Sequence, residues 1–140
     1  MKRRAKGAAA EQARIFAAIA AGAALGALAR HAAGLAVLGL TGPGFPWGTL
    51  AINVTGSFVI GFFAAVAGEG GRWQAGPALR HFVQSGFCGG FTTFSAFSLE
   101  TLLLLRADAT ATAAAYVAAS VALWLAAVSA GWRLGARIRG

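Results

Sequence analysis

The composition of this 140-residue chain excludes a water-soluble domain. It is 58% hydrophobic and only 11% charged, whereas soluble domains carry about 25% charged residues. Twelve basic and four acidic residues give a net charge of +8, yet only seven of them lie between Ile15 and Trp132. Seven charges cannot supply the polar exterior of a soluble domain. We therefore expect an integral membrane protein, and neither a soluble enzyme nor a nucleic-acid-binding module.

Four apolar stretches are each long enough to cross a bilayer, because a hydrocarbon core of about 30 Å needs roughly 20 helical residues. The first stretch has the outline of a signal peptide, but it continues past Arg30 to Leu40, so we expect it to remain as a helix. The sequence predicts an all-α protein with a basic segment at 1–14 and one four-helix domain at 15–135. The predicted transmembrane helices are 15–38, 47–67, 77–105 and 111–132.

Basic residues flank the apolar stretches, which is typical of contact with anionic lipid headgroups and of the positive-inside rule. If both termini are cytoplasmic, the other side of the membrane carries only Arg106, with Arg30 left uncounted inside the membrane. We therefore expect a multi-pass protein of the cell membrane with both termini inside, provided that it has a single orientation. The ten basic residues on that side are Lys2, Arg3, Arg4, Lys6, Arg14, Arg72, Arg80, Arg133, Arg137 and Arg139.

Polar side chains inside the helices are functional signals, because hydrocarbon cannot satisfy them. On the second helix, Thr49, Asn53 and Ser57 are spaced four apart and share a face. Helix packing explains the two hydroxyls, whereas the Asn53 carboxamide, with two N–H donors, favours a lining role. The fourth helix repeats this spacing and leaves packing and lining equally open. Its polar and aromatic positions are Thr112, Tyr116, Ser120 and Trp124.

Small residues on the first helix also recur at every fourth position. Such residues let helices approach closely in a membrane, so a packing groove is the favoured interpretation. Arg30 interrupts the row and points to a further role there. The row consists of Gly22, Gly26, Arg30 and Gly34.

The third helix contains three glycines within five residues, Gly86 to Gly90. Glycine disfavours a continuous helix, and backbone groups freed inside a membrane must be satisfied by protein, water or an ion. We therefore predict a break at 86–92, of the kind that holds ions in transporters and channels.

The residues after this predicted break form an aromatic and hydroxyl face. Phe94, Phe97 and Glu100 lie in one row, and Ser95 and Ser98 lie in a neighbouring row. The edge of an aromatic ring is its positive side, so these rings favour a path for an anion. Glu100 repels an anion unless it is paired, protonated or placed aside, and the sequence leaves the three options open.

Three segments resemble the Fluc/CrcB fluoride channels, a family of small four-helix membrane proteins. They are Gly26–Arg30, Gly48–Phe58 and Gly86–Glu100, of which the last is highly specific, and the resemblance covers about 22–135. It implies a fluoride-selective channel, not an enzyme, that exports fluoride passively and lowers its toxicity in the cytoplasm. It also implies an antiparallel dimer with two pores at the subunit interface.

The resemblance implies roles for single residues as well. Phe94 and Phe97 match the paired rings that line each pore, and Asn53 matches an amide that contacts the ion. The carbonyls of Gly89 and Thr92 match a structural Na⁺ site on the dimer axis. Two positions depart from the family pattern, Ala96 and Trp124. The other implied path residues are Thr93, Ser95, Ser120 and Tyr116, with Arg30 at a vestibule.

An antiparallel homodimer needs both orientations from one sequence, whereas the charge bias predicts one. Either this chain overrides the bias and pairs with itself, or it pairs with an oppositely oriented homologue. Two other functions compete with the channel. A small proton-coupled multidrug exporter needs a carboxylate in the first helix, where this chain has Arg30. A non-transporting membrane subunit explains the small residues but not the broken helix and its Phe–Ser–Glu face.

Overall fold

The computed structural model describes residues 2–68 and 73–139, and these ranges are helical apart from short connections. Arg72, one of the basic residues in the charge comparison, lies outside them. The described residues contain four spans long and apolar enough to cross a membrane, which confirms the predicted all-α fold. The helices are α1 (Lys2–Thr41), α2 (Trp47–Ala67), α3 (Pro77–His81), a π-helix (Phe82–Cys88), α4 (Gly89–Phe91), α5 (Phe94–Arg106) and α6 (Thr110–Arg139).

The ends of α1 and α2 follow from local sequence. Gly42 adopts a left-handed conformation with φ +72°, and its N–H donates to the Leu38 carbonyl at 2.9 Å. This is a common helix C-terminus, because glycine pays no Cβ penalty there. Pro46 precedes the first residue of α2. α2 then covers the same residues as the predicted second helix, whereas α1 and α6 extend beyond the predicted bounds.

The third span is interrupted, but later than the glycines predict. Gly86 lies in the π-helix, and Gly89 and Gly90 begin α4. The extended residues are Thr92, with ψ 161°, and Thr93, with φ −150° and ψ 121°. The break therefore lies at 92–93, at the C-terminal edge of the predicted interval 86–92.

Close packing against α1 explains why the glycines do not break the helix. A Cβ on Gly86 would lie 2.8 Å from the Ile19 carbonyl oxygen and 3.0 Å from the Gly22 Cα. A Cβ on Gly26 would meet the Phe87 carbonyl. The glycines thus allow two backbones to touch, as small residues do in membranes. This supports the packing groove predicted on the first helix.

The remaining core lies between α2, α5 and α6. Leu50, Phe97 and Tyr116 form a buried cluster, against which Trp124 packs. Phe97 is the one buried residue of α5. The other residues of α5 therefore leave an extensive face uncovered by the described chain.

Candidate functional site

The break in the third span is held by the side chain of Asn53. Its Nδ2 donates to the Thr93 carbonyl at 2.9 Å, and its Oδ1 accepts from the Thr93 N–H at 2.8 Å. Asn53 is only 5% exposed. The carboxamide thus holds both the N–H and the C=O of Thr93, which belong to two successive peptide groups. Because a carboxamide has two N–H donors, one donor remains for the ion contact that the resemblance implies.

The same turn of the chain releases a carbonyl group. In a continuous helix the Thr93 N–H would donate to the Gly89 carbonyl, but here it donates to Asn53. The Thr92 carbonyl accepts from Nη1 of Arg30 at 3.3 Å, which leaves one of its two lone pairs. Gly89 and Thr92 are the two residues of the implied Na⁺ site. Their carbonyls suit Na⁺, because unwound backbone carbonyls coordinate this ion in transporters.

A side-chain cluster for a metal ion does not exist among the described residues, since no three His, Cys, Asp or Glu side chains come together. The oxygens that the break leaves open are the backbone carbonyls of Gly89 and Thr92. Arg30 places its own positive charge beside one of them, so the residue implied for a vestibule also touches the break.

Two hydroxyl groups hold the carboxylate of Glu100. Thr49 donates to Oε1 at 2.7 Å, and Tyr116 donates to Oε2 at 2.7 Å. Of the three options that the sequence leaves open for Glu100, the structure shows pairing with hydroxyls. Tyr116, which is fully buried, directs its donor to Glu100 and not to open space.

The two phenylalanine rings of α5 are neighbours with different surroundings. Their centroids lie 5.5 Å apart, and the planes meet at 47°. Phe94 is 71% exposed, whereas Phe97 is 7% exposed. The Phe97 ring packs on Tyr116 at 5.2 Å and edge-on to Trp124 at 5.0 Å. Of these two rings, only that of Phe94 is therefore exposed at the surface of the described chain.

The hydroxyls of Thr93 and Ser95 lie at the first turn of α5. Oγ1 of Thr93 accepts from the Ala96 N–H at 3.1 Å, as an N-cap, and lies 3.2 Å from Oγ of Ser95. Further along the site, two donors on α6 are buried without a hydrogen-bond partner among the described residues. These are Oγ of Ser120 and Nε1 of Trp124, one turn apart.

Thr93 lines three cavities, and the third is also lined by Arg30, Ser95, Ala96 and Leu99. The first, of about 580 Å³, is lined by the charged residues Arg30 and Glu100 together with Thr49 and Thr93. The second, of about 310 Å³, has a neutral lining of Asn53, Gly56, Ser57, Ile60, Gln84, Cys88, Gly89, Thr92, Thr93, Phe94 and Trp124.

Most sequence-predicted residues line these three cavities, whereas Phe97, Tyr116 and Ser120 are buried and line none of them. Gln84 lines the second cavity but is outside the predicted set. The sequence alone could have identified Gln84 as a candidate, since a carboxamide in an apolar span is costly in lipid.

The chain is similar to known proteins over most of its length. It matches the family described as "CrcB-like protein, Camphor Resistance (CrcB)" over residues 17–132. It is 49% identical to the fluoride-specific ion channel FluC 1 of Rhodopseudomonas palustris over 128 residues, 91% of each chain. It is 50% identical to FluC 1 of Bradyrhizobium diazoefficiens over 123 residues, 88% of this chain and 85% of the relative. It is 44% identical to FluC 3 of Brucella abortus over 129 residues, 92% and 94% of the two chains.

These similarities cover most of the four spans, and the family match at 17–132 includes the positions of Asn53, Thr92 and Thr93. The chain belongs to the CrcB family.

Proposed function

We propose that this protein is a fluoride-selective channel that lets fluoride leave the cell passively and so lowers its toxicity. The relatives are named as fluoride-specific ion channels. Fluoride is small and strongly hydrated, and burying an unpaired ion costs tens of kcal/mol in the Born limit. A path for it must replace water with donors at close range. Neutral donors do this without trapping the ion, which has to leave again.

The observation that carries the proposal is the pairing of Asn53 with Thr93. It opens a helix at mid-membrane, keeps one amide donor available, and lies beside the exposed ring of Phe94. Packing alone does not require an open helix. The combination supplies neutral donors and a positive ring edge where the lipid would offer nothing.

The direction of transport follows from electrostatics. Hydrogen fluoride crosses lipid uncharged, ionises in the cytoplasm and is retained there as the anion. An inside-negative potential of 100 mV is worth about 2.3 kcal/mol per charge. This corresponds to roughly a fifty-fold outward bias for the anion. A passive pore in the cell membrane is therefore sufficient for export, with no chemical step.

A second subunit completes the site in this proposal. Phe94, Ser95 and Ser98 are exposed on α5, so the described chain leaves this aromatic and hydroxyl face uncovered. Covering this face with another copy in antiparallel orientation gives two equivalent pores. It also brings two more carbonyls to those of Gly89 and Thr92, because the two carbonyls of one chain are too few to replace the hydration shell of Na⁺.

The identity of the second subunit is tested by orientation. The basic residues favour one orientation with cytoplasmic termini, so the partner is either this chain in both orientations or an oppositely oriented homologue. The turn residue Ala107 lies on the side opposite the termini, and Ala107→Cys in a Cys88→Ser background reports that side. Partial labelling by an impermeant maleimide indicates both orientations. Uniform labelling together with fluoride flux from the pure protein contradicts the antiparallel requirement.

The function itself is tested with purified protein in liposomes loaded with potassium fluoride. A fluoride electrode should record release when a potassium ionophore is added. Liposomes loaded with chloride, followed with a chloride electrode, should retain their anion. Fluoride release no faster than from protein-free liposomes, or equal release of both anions, contradicts the proposal.

A further inference from the structure

We propose that Gln84 and Ser57 form an anion-binding subsite in the second cavity, the neutral one. There the Gln84 carboxamide and the Ser57 hydroxyl donate hydrogen bonds to a fluoride ion as it loses its hydration shell. This inference rests on the proposed channel function and extends it. Neither residue belongs to the ring pair, and Gln84 is on the third span, ahead of the break.

The lining of the cavity is suited to an anion. None of its residues carries a formal charge, whereas the first cavity is lined by both Arg30 and Glu100. An anion in the neutral cavity therefore meets no carboxylate. Its side chains also include no Arg or Lys that would hold the anion too tightly to pass on.

The donors in this cavity are available. The Gln84 and Ser57 side chains make no hydrogen bond with any other residue in the described ranges. Both are half-buried, and Asn53, which lines the same cavity, keeps one N–H. Three neutral donor groups thus surround one space of about 310 Å³. In lipid such groups are costly unless a ligand, water or protein satisfies them.

The segment that contains the π-helix has two different faces. Gly86 and Gly90, four residues apart, face the backbone of α1. Gln84 and Cys88, also four apart, line the cavity. One segment therefore packs tightly on one side and presents a donor on the other. π-helical turns are frequent at functional sites. Packing alone would accept an apolar side chain at the position of Gln84.

The test measures the fluoride concentration at which flux is half-maximal, with full-length protein in liposomes. Gln84→Met keeps the length of the side chain and removes its N–H groups. It should raise that concentration by about tenfold, which corresponds to about 1.4 kcal/mol. Gln84→Glu keeps the shape but places a negative charge in the cavity, and it should reduce flux further. Ser57→Ala should give a smaller shift in the same direction.

The matched control is Gln74→Met, because Gln74 is exposed in the connection between α2 and α3 and lines neither cavity. It should behave as the wild type. Chemical cross-linking on the same liposomes measures the dimer fraction, which should be unchanged in Gln84→Met. This separates a donor to the ion from a residue that only contacts a second subunit.

Each outcome decides between the proposals. Wild-type release with an unchanged half-maximal concentration in Gln84→Met overturns the subsite and leaves the channel standing. Loss of flux in step with loss of the dimer makes Gln84 a subunit contact and also overturns the subsite. No release from wild-type liposomes overturns the channel function, and the subsite with it.

Discussion

The two halves of the third span differ in how they are held. The half before the break packs through Gly86 and Gly90 directly on the backbone of α1. The half after the break, α5, buries only Phe97 and contacts its neighbours through a few hydrogen bonds, that ring and the partly buried Leu104. The first half is a scaffold complete within one chain. The second half presents aromatic and hydroxyl groups that one chain leaves uncovered.

The largest effect should come from filling the close contact of the scaffold half. A Cβ on Gly90 would lie 2.9 Å from the Ala23 Cα. The Ala23 atoms that it would meet belong to the backbone of α1, which cannot move aside as a side chain can. Gly90→Leu should therefore abolish folding of the third span against α1. Size-exclusion chromatography in detergent should show no monodisperse protein.

Gly39→Leu is the control for this substitution, because nothing lies within 4 Å of a Cβ at that position. It should elute and conduct as the wild type does. A Gly90→Leu protein that elutes normally and conducts fluoride would show that the two halves do not differ in the way described.

The next effect concerns the junction between the halves. Asn53→Leu removes both hydrogen bonds to the Thr93 peptide, and each buried group left unsatisfied costs about 1–3 kcal/mol. We expect a large loss of thermal stability in detergent and no measurable fluoride efflux. Asn53→Asp keeps the acceptor for the Thr93 N–H but opposes a carboxylate to the Thr93 carbonyl. It should retain more stability than Asn53→Leu and also lose efflux.

Equal stability of both Asn53 variants and the wild type would show that the break does not depend on this side chain. Normal efflux from either variant would remove Asn53 from the ion path.

Sequence patterns predicted the spans better than the contacts between them. Four apolar stretches of bilayer length are sufficient to predict four helices, and the structure confirms them. The break lies later than the glycines predict, because local propensity does not reveal that Gly86 and Gly90 are needed for contact with α1. The break instead depends on Asn53, 40 residues away from Thr93.

The same limit applies to the carboxylate of the site. Spacing placed Thr49 and Asn53 on one face, but it did not show that Thr49 reaches Glu100, 51 residues later. Tyr116 completes that pair from another helix. Contacts of this kind depend on how the helices pack, which no local pattern specifies.

A third effect should be confined to the uncovered half. Phe94 is 71% exposed in the described chain, so Phe94→Ile should leave the stability of the subunit near that of the wild type. It removes the ring edge from the path and should lower fluoride efflux by at least roughly tenfold, about 1.4 kcal/mol. Leu103→Ile is the matched control, since Leu103 is 54% exposed on the same helix. Equal efflux from both variants would exclude the Phe94 ring from permeation.

The smallest effect should come from loosening α5 without touching its exposed face. Tyr116→Phe keeps the buried ring and removes the hydroxyl that donates to Glu100 at 2.7 Å. Because the carboxylate retains Thr49 as a donor, we expect a loss of only about 0.5–1.5 kcal/mol, measured as a lower unfolding temperature in detergent. Thr112→Val is the control, because Thr112 lies on the same helix without a hydrogen bond from its side chain to any other residue in the described ranges.

A further loss in Thr49→Val/Tyr116→Phe, beyond that of either single variant, is expected if these two hydroxyls join α5 to α2 and α6. Unchanged unfolding of the double variant would mean that apolar packing by Phe97 and Leu104 is sufficient to hold α5 in place.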